Sequence, residues 1–174
     1  FTTAQKVKEI NKNNLLKNDI KQIYVLSPHC FSTFKNDFSS EEFENIQIFQ
    51  EEKFGYSIFD DTINYSLPAE QFIPELNNAI DGVVICRNCI DHSPQWAFII
   101  NNIVSYMKLD SNLMIWNDLF HNDGCDDGHY DITSDVDSFK RLLTNLGLHI
   151  EHEFSYGLST RNTVNYGCMA KKMR

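Results

Sequence analysis

The sequence predicts an α/β domain whose mostly parallel sheet is covered by helices on both faces. Three observations carry this. Helix-like and strand-like segments alternate along the chain, the segment Gly82 to Cys86 (GVVIC) is apolar throughout, and the polar, histidine-rich stretches follow the predicted strands. Alternation implies parallel strands with helical crossovers, and an all-apolar strand implies cover on both faces. In such sheets ligands bind beyond the carboxyl ends of the strands, so function is expected in the post-strand loops.

Thr2 or Thr3 caps a first helix through Val7, Ile10, Leu15 and Leu16. Ile20 to Leu26 (IKQIYVL) is short, β-branched and aromatic, and it stops at Ser27-Pro28, as a buried strand would. Ser39-Ser40-Glu41-Glu42 opens a helix through Phe43, Ile46 and Phe49 that Gly55 ends. A strand follows near Tyr56 to Phe59 or near Thr62 to Tyr65, then Pro68 and a helix over Glu70 to Ile80. After the Gly82 to Cys86 strand, Ser93-Pro94 starts a helix, Gln95 to Met107, with Phe98, Ile99, Ile103 and Met107 as a core stripe. Leu113 to Trp116 is the next strand, and Asn117 to Thr133 a polar loop. Ser134 or Asp135 caps a helix ending near Asn145, and Gly147 supplies the C-terminal position that tolerates positive φ. Leu148 to Tyr156 and Asn162 to Lys171 complete the fold as an antiparallel pair.

The 174 residues fit a single domain, long enough to bury roughly two-thirds of the surface exposed by the unfolded chain. A net charge of −9 argues against nucleic acid as a partner, because affinity for a phosphate backbone comes from Lys and Arg. No apolar run is long enough to span a bilayer, and no basic-then-apolar leader opens the chain, so a cytoplasmic protein is expected. Cys30, Cys86, Cys89, Cys125 and Cys168 are odd in number and irregularly spaced, which points to reduced thiols.

The segment Asp81 to Ser93 (DGVVICRNCIDHS) resembles the fourth-strand signature of S-adenosylmethionine-dependent methyltransferases: an acidic residue, an apolar strand, then an Asn-x-x-Asp-His-Ser loop. It is most similar to enzymes that modify saccharides and secondary metabolites. The resemblance continues through Ile100 to Leu113, Trp116 to Tyr130 and the final two strands, while Pro68-Ala69-Glu70 resembles the loop that runs beside the adenine. It implies a Rossmann-like sheet, mostly parallel with an antiparallel C-terminal hairpin. The cofactor implied is S-adenosyl-L-methionine, and the reaction O-methylation of a small hydroxylated substrate such as a sugar.

On the same resemblance, Ser27, Pro28, Ala69, Glu70, Arg87 and Asn88 would line the cofactor. Three departures accompany it. No Gly-x-Gly-x-Gly loop precedes the first helix, Ser27 stands where a ribose-binding acidic residue is expected, and Lys108-Leu109-Asp110-Ser111 replaces a Pro-Gly-Gly turn. The first strand is accordingly expected to be missing and to lie before Phe1, with residues 1–174 an N-terminally incomplete domain. Partners other than substrate would be a second copy of the chain or that upstream segment. The departures also suit another role, that of a catalytically silent methyltransferase-like module serving assembly or partner binding.

A hydroxyl nucleophile needs a base, and His92 beside Asp91 offers an oriented imidazole for it. A structural reading competes, in which Asp91 and Ser93 cap the next helix. Asp118, His121 and His129, with Asp123 and Asp131, form a second polar cluster suited to substrate hydroxyls. Their composition also suits a divalent ion or a solvated loop, but their spacing matches no defined metal motif, so no metal ligand is assigned. Cys86-x-x-Cys89 is read as packing, because Cys86 lies inside an apolar strand.

Overall fold

The computed structural model describes residues 22–26, 47–51, 63–122, 124, 128–158 and 163–174. They form a seven-stranded sheet: β1 (Gln22–Leu26), β2 (Gln47–Glu51), β3 (Ile63–Tyr65), β4 (Gly82–Arg87), β5 (Asn112–His121), β6 (Leu148–Leu158) and β7 (Thr163–Lys172). The spatial order is β3-β2-β1-β4-β5-β7-β6. Neighbours from β3 to β5 are parallel, and β7 runs antiparallel to both β5 and β6. Two helices are described, α1 (Trp96–Tyr106) and α2 (Val136–Asn145).

The order defines the functional end of the sheet. From β1 the chain builds outward one way through β2 and β3, and the other way through β4 and β5. The strand order thus reverses between β1 and β4, and the crevice of such a fold opens beyond their carboxyl ends. In register, Glu51, Leu26, Cys86 and Ile115 lie in one row across the sheet. Val83 to Cys86 are all buried, as an interior strand covered on both faces requires.

Several expectations are corrected. The strand around Ile20 to Leu26 is not the second of the sheet with a first strand missing. It pairs directly with β2 on one side and β4 on the other, which makes it an interior strand. Gln47–Glu51 is strand, not helix; the short run IQIFQ fits period 2 as readily as a helical turn, and parallel pairing with β1 decides it. The helix expected over Glu70 to Ile80 reduces to a 3-10 turn at Pro74–Leu76, where Pro74 lacks a donor and Asn78 turns to φ +52°. Strand β5 continues through His121 into the stretch expected to be loop.

On α1, Ile99, Ile100, Ile103, Val104 and Tyr106 are buried, but Phe98 is 61% exposed, so the core stripe is rotated from the one expected. The Thr2 helix, the earlier part of the Ser39 helix, Tyr56 to Phe59 and Ser27-Pro28 lie outside the described residues.

The remaining elements fall where the sequence places them. Asp135 caps α2 by accepting from the Asp137 and Ser138 amides at 3.0 and 3.2 Å. Gly147 takes φ +88° after that helix, and a Cβ there would lie 2.7 Å from Arg174 Cγ. The predicted final hairpin is β6 and β7, with β7 also adding to β5.

Candidate functional site

The loop leaving β4 reverses sharply. Asn88 adopts φ +47°, a left-handed conformation that Asn tolerates better than most residues, and its N–H donates to the Trp116 carbonyl at 2.6 Å. One turn of 3-10 helix, Ile90–His92, follows. Buried Asn117 on β5 fixes its start: Oδ1 accepts from the N–H groups of Cys89 at 2.9 Å and Ile90 at 3.2 Å. This caps donors that a short helix leaves unsatisfied. The Asp91 carbonyl accepts from Tyr130 N–H at 2.7 Å, which ties the β4 exit to the loop beyond β5.

That tie gathers the candidate side chains. His92 Nδ1 lies 3.2 Å from the Gly128 carbonyl oxygen, and its ring centroid is 4.4 Å from that of His129. His129 in turn lies 5.6 Å from His121, whose Nδ1 is 3.2 Å from Asp131 Oδ1. Asp131 Oδ1 also accepts from the His121 backbone N–H at 3.0 Å, so one carboxylate oxygen meets both the backbone and the ring of that residue. Asp91 is fully buried, and neither carboxylate oxygen has a hydrogen-bond partner on any other described residue. Desolvation raises its pKa above the usual carboxylate range, helped by nearby Asp118 and opposed by His92, its own backbone N–H and His129.

The other expected positions are placed less uniformly. Asp118 is buried in β5 and accepts from Thr163 Oγ1 at 3.0 Å, which commits one oxygen to the sheet. The Ala69 and Glu70 carbonyls both accept from Asn102 Nδ2, at 3.0 and 3.1 Å, while the Glu70 carboxylate accepts from Ser93 Oγ. The loop after β3 is thereby clamped onto α1 and the β4 exit. The Arg87 guanidinium lies 5.8 Å from the Trp116 ring centroid. The Cys86 and Cys89 sulfurs lie 3.4 Å apart, well beyond the bonded distance of about 2.05 Å.

Sequence reasoning missed the support around these side chains. Asn117, the Gly128 carbonyl and Asp131 as the orienter of His121 are long-range partners with no local pattern. Buried Asn88 Oδ1, Trp116 Nε1 and Asn117 Nδ2 also lack hydrogen-bond partners among the described residues. All three lie at the level of the carboxyl end of β4, where Arg87 pairs with Trp116.

The architecture is the Rossmann-like fold found in S-adenosylmethionine-dependent methyltransferases. It is similar to the N-methyltransferase NodS from Bradyrhizobium japonicum, solved with S-adenosyl-L-homocysteine, with a TM-score of 0.70 at 9% identity over 98% of this chain and 87% of NodS. The CurJ carbon methyltransferase gives 0.71 at 9% identity over 98% of this chain and 54% of CurJ. The [4+2]-cyclase SpnF gives 0.69 at 10% identity over 97% of this chain and 80% of SpnF. No protein-family model and no curated protein matches the sequence. At these identities the likeness concerns the fold, and one neighbour's chemistry is not named as methyl transfer.

Proposed function

We propose that this chain is an S-adenosylmethionine-dependent methyltransferase acting on a small hydroxylated molecule, with a sugar as the leading substrate class. The observation that carries this reading is the meeting of Asp91, His92 and His129 beyond the carboxyl end of β4, at the point where strand order reverses. The orphaned Asn88 Oδ1 and Trp116 Nε1 offer an acceptor and a donor there, in keeping with the mixed hydrogen-bonding edge of a nucleoside.

The cofactor would supply a methyl group on a sulfonium centre, open to in-line displacement. The protein's own part is alignment, exclusion of water and proton removal. If Nδ1–H of His92 donates to the Gly128 carbonyl, the imidazole is held with its lone pair on Nε2, ready to accept a proton from a substrate hydroxyl. Asp91 beside it favours the imidazolium that results, while Asp118, His121 and His129 face the acceptor. Ser27 and Pro28 follow β1, and with Ala69, Glu70, Arg87 and Asn88 they border the cofactor. Glu51 ends β2, in the row beside Leu26, and is the acidic residue we assign to the ribose hydroxyls of the cofactor. The thiols of Cys86 and Cys168 are in keeping with a cytoplasmic setting.

A silent partner-binding module is the second reading. The stretch after β1, Ser27-Pro28-His29-Cys30-Phe31, has no glycine to let a cofactor approach the backbone closely, and the Glu70 carboxylate is engaged by Ser93. Calorimetric titration with S-adenosyl-L-homocysteine separates the two. Saturable binding that weakens in Glu51→Gln is expected of the enzyme; a flat titration would favour the module.

A further inference from the structure

Asp91 is a costly group for a folded protein to keep. A buried carboxylate with no hydrogen-bond partner on any other described residue is strongly destabilising unless an opposite charge compensates it. Compensation is within reach: one donor atom each from Asp91, His92 and His129 all lie within 4.8 Å of one another. The Gly128 carbonyl beside His92 Nδ1 is a partner of the kind that orients a ligating imidazole through its other nitrogen. His121, next to His129 and held by Asp131, extends the same network outward.

We infer that Asp91, His92 and His129 form a binding site for a divalent first-row transition ion of the zinc, iron(II) or manganese type. Two imidazoles and one carboxylate are a ligand set shared by catalytic zinc sites and mononuclear iron(II) sites, and they leave coordination positions open. Magnesium and calcium prefer all-oxygen surroundings, so two imidazoles select against them. Donors about 2.0–2.1 Å from one ion sit no more than about 4.2 Å apart, so small side-chain rotations suffice to close the set. The ion would neutralise Asp91, and its open positions would take oxygen ligands such as adjacent hydroxyls. Its use in methyl transfer rests on the function proposed above, whereas its binding does not. With the ion in place, the His92 lone pair is committed to it, and hydroxyl activation passes to polarisation by the metal.

The test titrates zinc, cobalt(II) and magnesium into chelator-treated protein, following heat for all three and visible absorption for cobalt. One equivalent of zinc and of cobalt should bind, at least ~100-fold more tightly than magnesium. His92→Ala and His129→Ala, at positions that are not buried, should each weaken zinc by at least ~10-fold while leaving the circular dichroism unchanged. Asp91→Asn should do the same. No saturable binding, or zinc binding undiminished in both histidine variants, would overturn the site. S-adenosyl-L-homocysteine titrated into the same samples separates the two readings. Its binding without zinc binding removes only the metal site, and zinc binding without it removes only the methyl-transfer reading.

Discussion

The two ends of β4 are built on opposite terms. At the amino end the polar groups are matched. Ser111 Oγ donates to the Ile80 carbonyl at 2.8 Å and accepts from Gly82 N–H at 3.2 Å, and Lys172 Nζ donates to the carbonyls of Val104 and Met107 at 2.9 and 2.7 Å. At the carboxyl end, a few residues along the same strand and its neighbour, Asn88 Oδ1, both Asp91 oxygens, Trp116 Nε1 and Asn117 Nδ2 have no partner among the described residues. Buried polar groups in native proteins are nearly always satisfied, so orphans concentrated at one end of a strand mark where stability is conceded to a task. The amino end shows what this chain does with polar groups that serve only the fold.

The widest separation between the ends is expected in activity. On the function proposed above, His92→Ala should lower methyl transfer by ~10²–10⁴-fold, the usual worth of a positioned acid–base group, while thermal unfolding barely moves because the side chain is exposed. Initial rates beside a melting curve test it, and full activity in this variant would break the contrast. Ser111→Ala should do the reverse. Removing a buried hydroxyl that serves two backbone groups should cost about 1–3 kcal/mol, with turnover retained. Denaturant unfolding measures the loss.

Asp91→Asn should carry the opposite sign, raising stability by about 1–2 kcal/mol at pH 7 in chelator while impairing the site. The pH dependence sharpens this. The folded-state pKa of Asp91 is raised, so the folded protein holds that proton longer than the unfolded chain does. The stability this gives below the unfolded value near 3.9 is lost as pH climbs through the folded pKa. The variant's advantage should therefore be small near pH 4 and grow toward neutrality. A constant advantage across that range would place the cost of Asp91 elsewhere. Smallest of all, Asn88→Gly should gain about 0.5–1 kcal/mol by relieving a left-handed backbone, read as a modest rise in melting temperature.

Much of the scaffold was legible because its signals are local. Gly82 to Cys86 announced a covered strand by composition alone, Asp135 announced a cap by preceding an amphipathic run, and Gly147 announced a helix end. Strand order was not legible. Whether Ile20 to Leu26 is first or second depends on which strands flank it, a non-local choice, and taking glycine as the mark of the first loop misplaced it by one. The run at Ile46 to Gln50 was too short for its period to decide between helix and strand. At the site, Asp91 and His92 were readable as a pair because they are adjacent. Their approach to His129 was not, since it follows from β4 lying beside β5 and from the link between Tyr130 and the Asp91 carbonyl.

The position of β7 shapes how the chain reaches this state as it is synthesised. Residues 148–158 emerge before their only neighbour in the described sheet, Thr163–Lys172, exists to receive them. Until it is made, β6 cannot join and the flank of β5 stays open as an unpaired edge, the kind of surface that invites pairing between nascent chains. Two of the seven described strands must therefore wait for one insertion, which makes β7 a checkpoint in assembly.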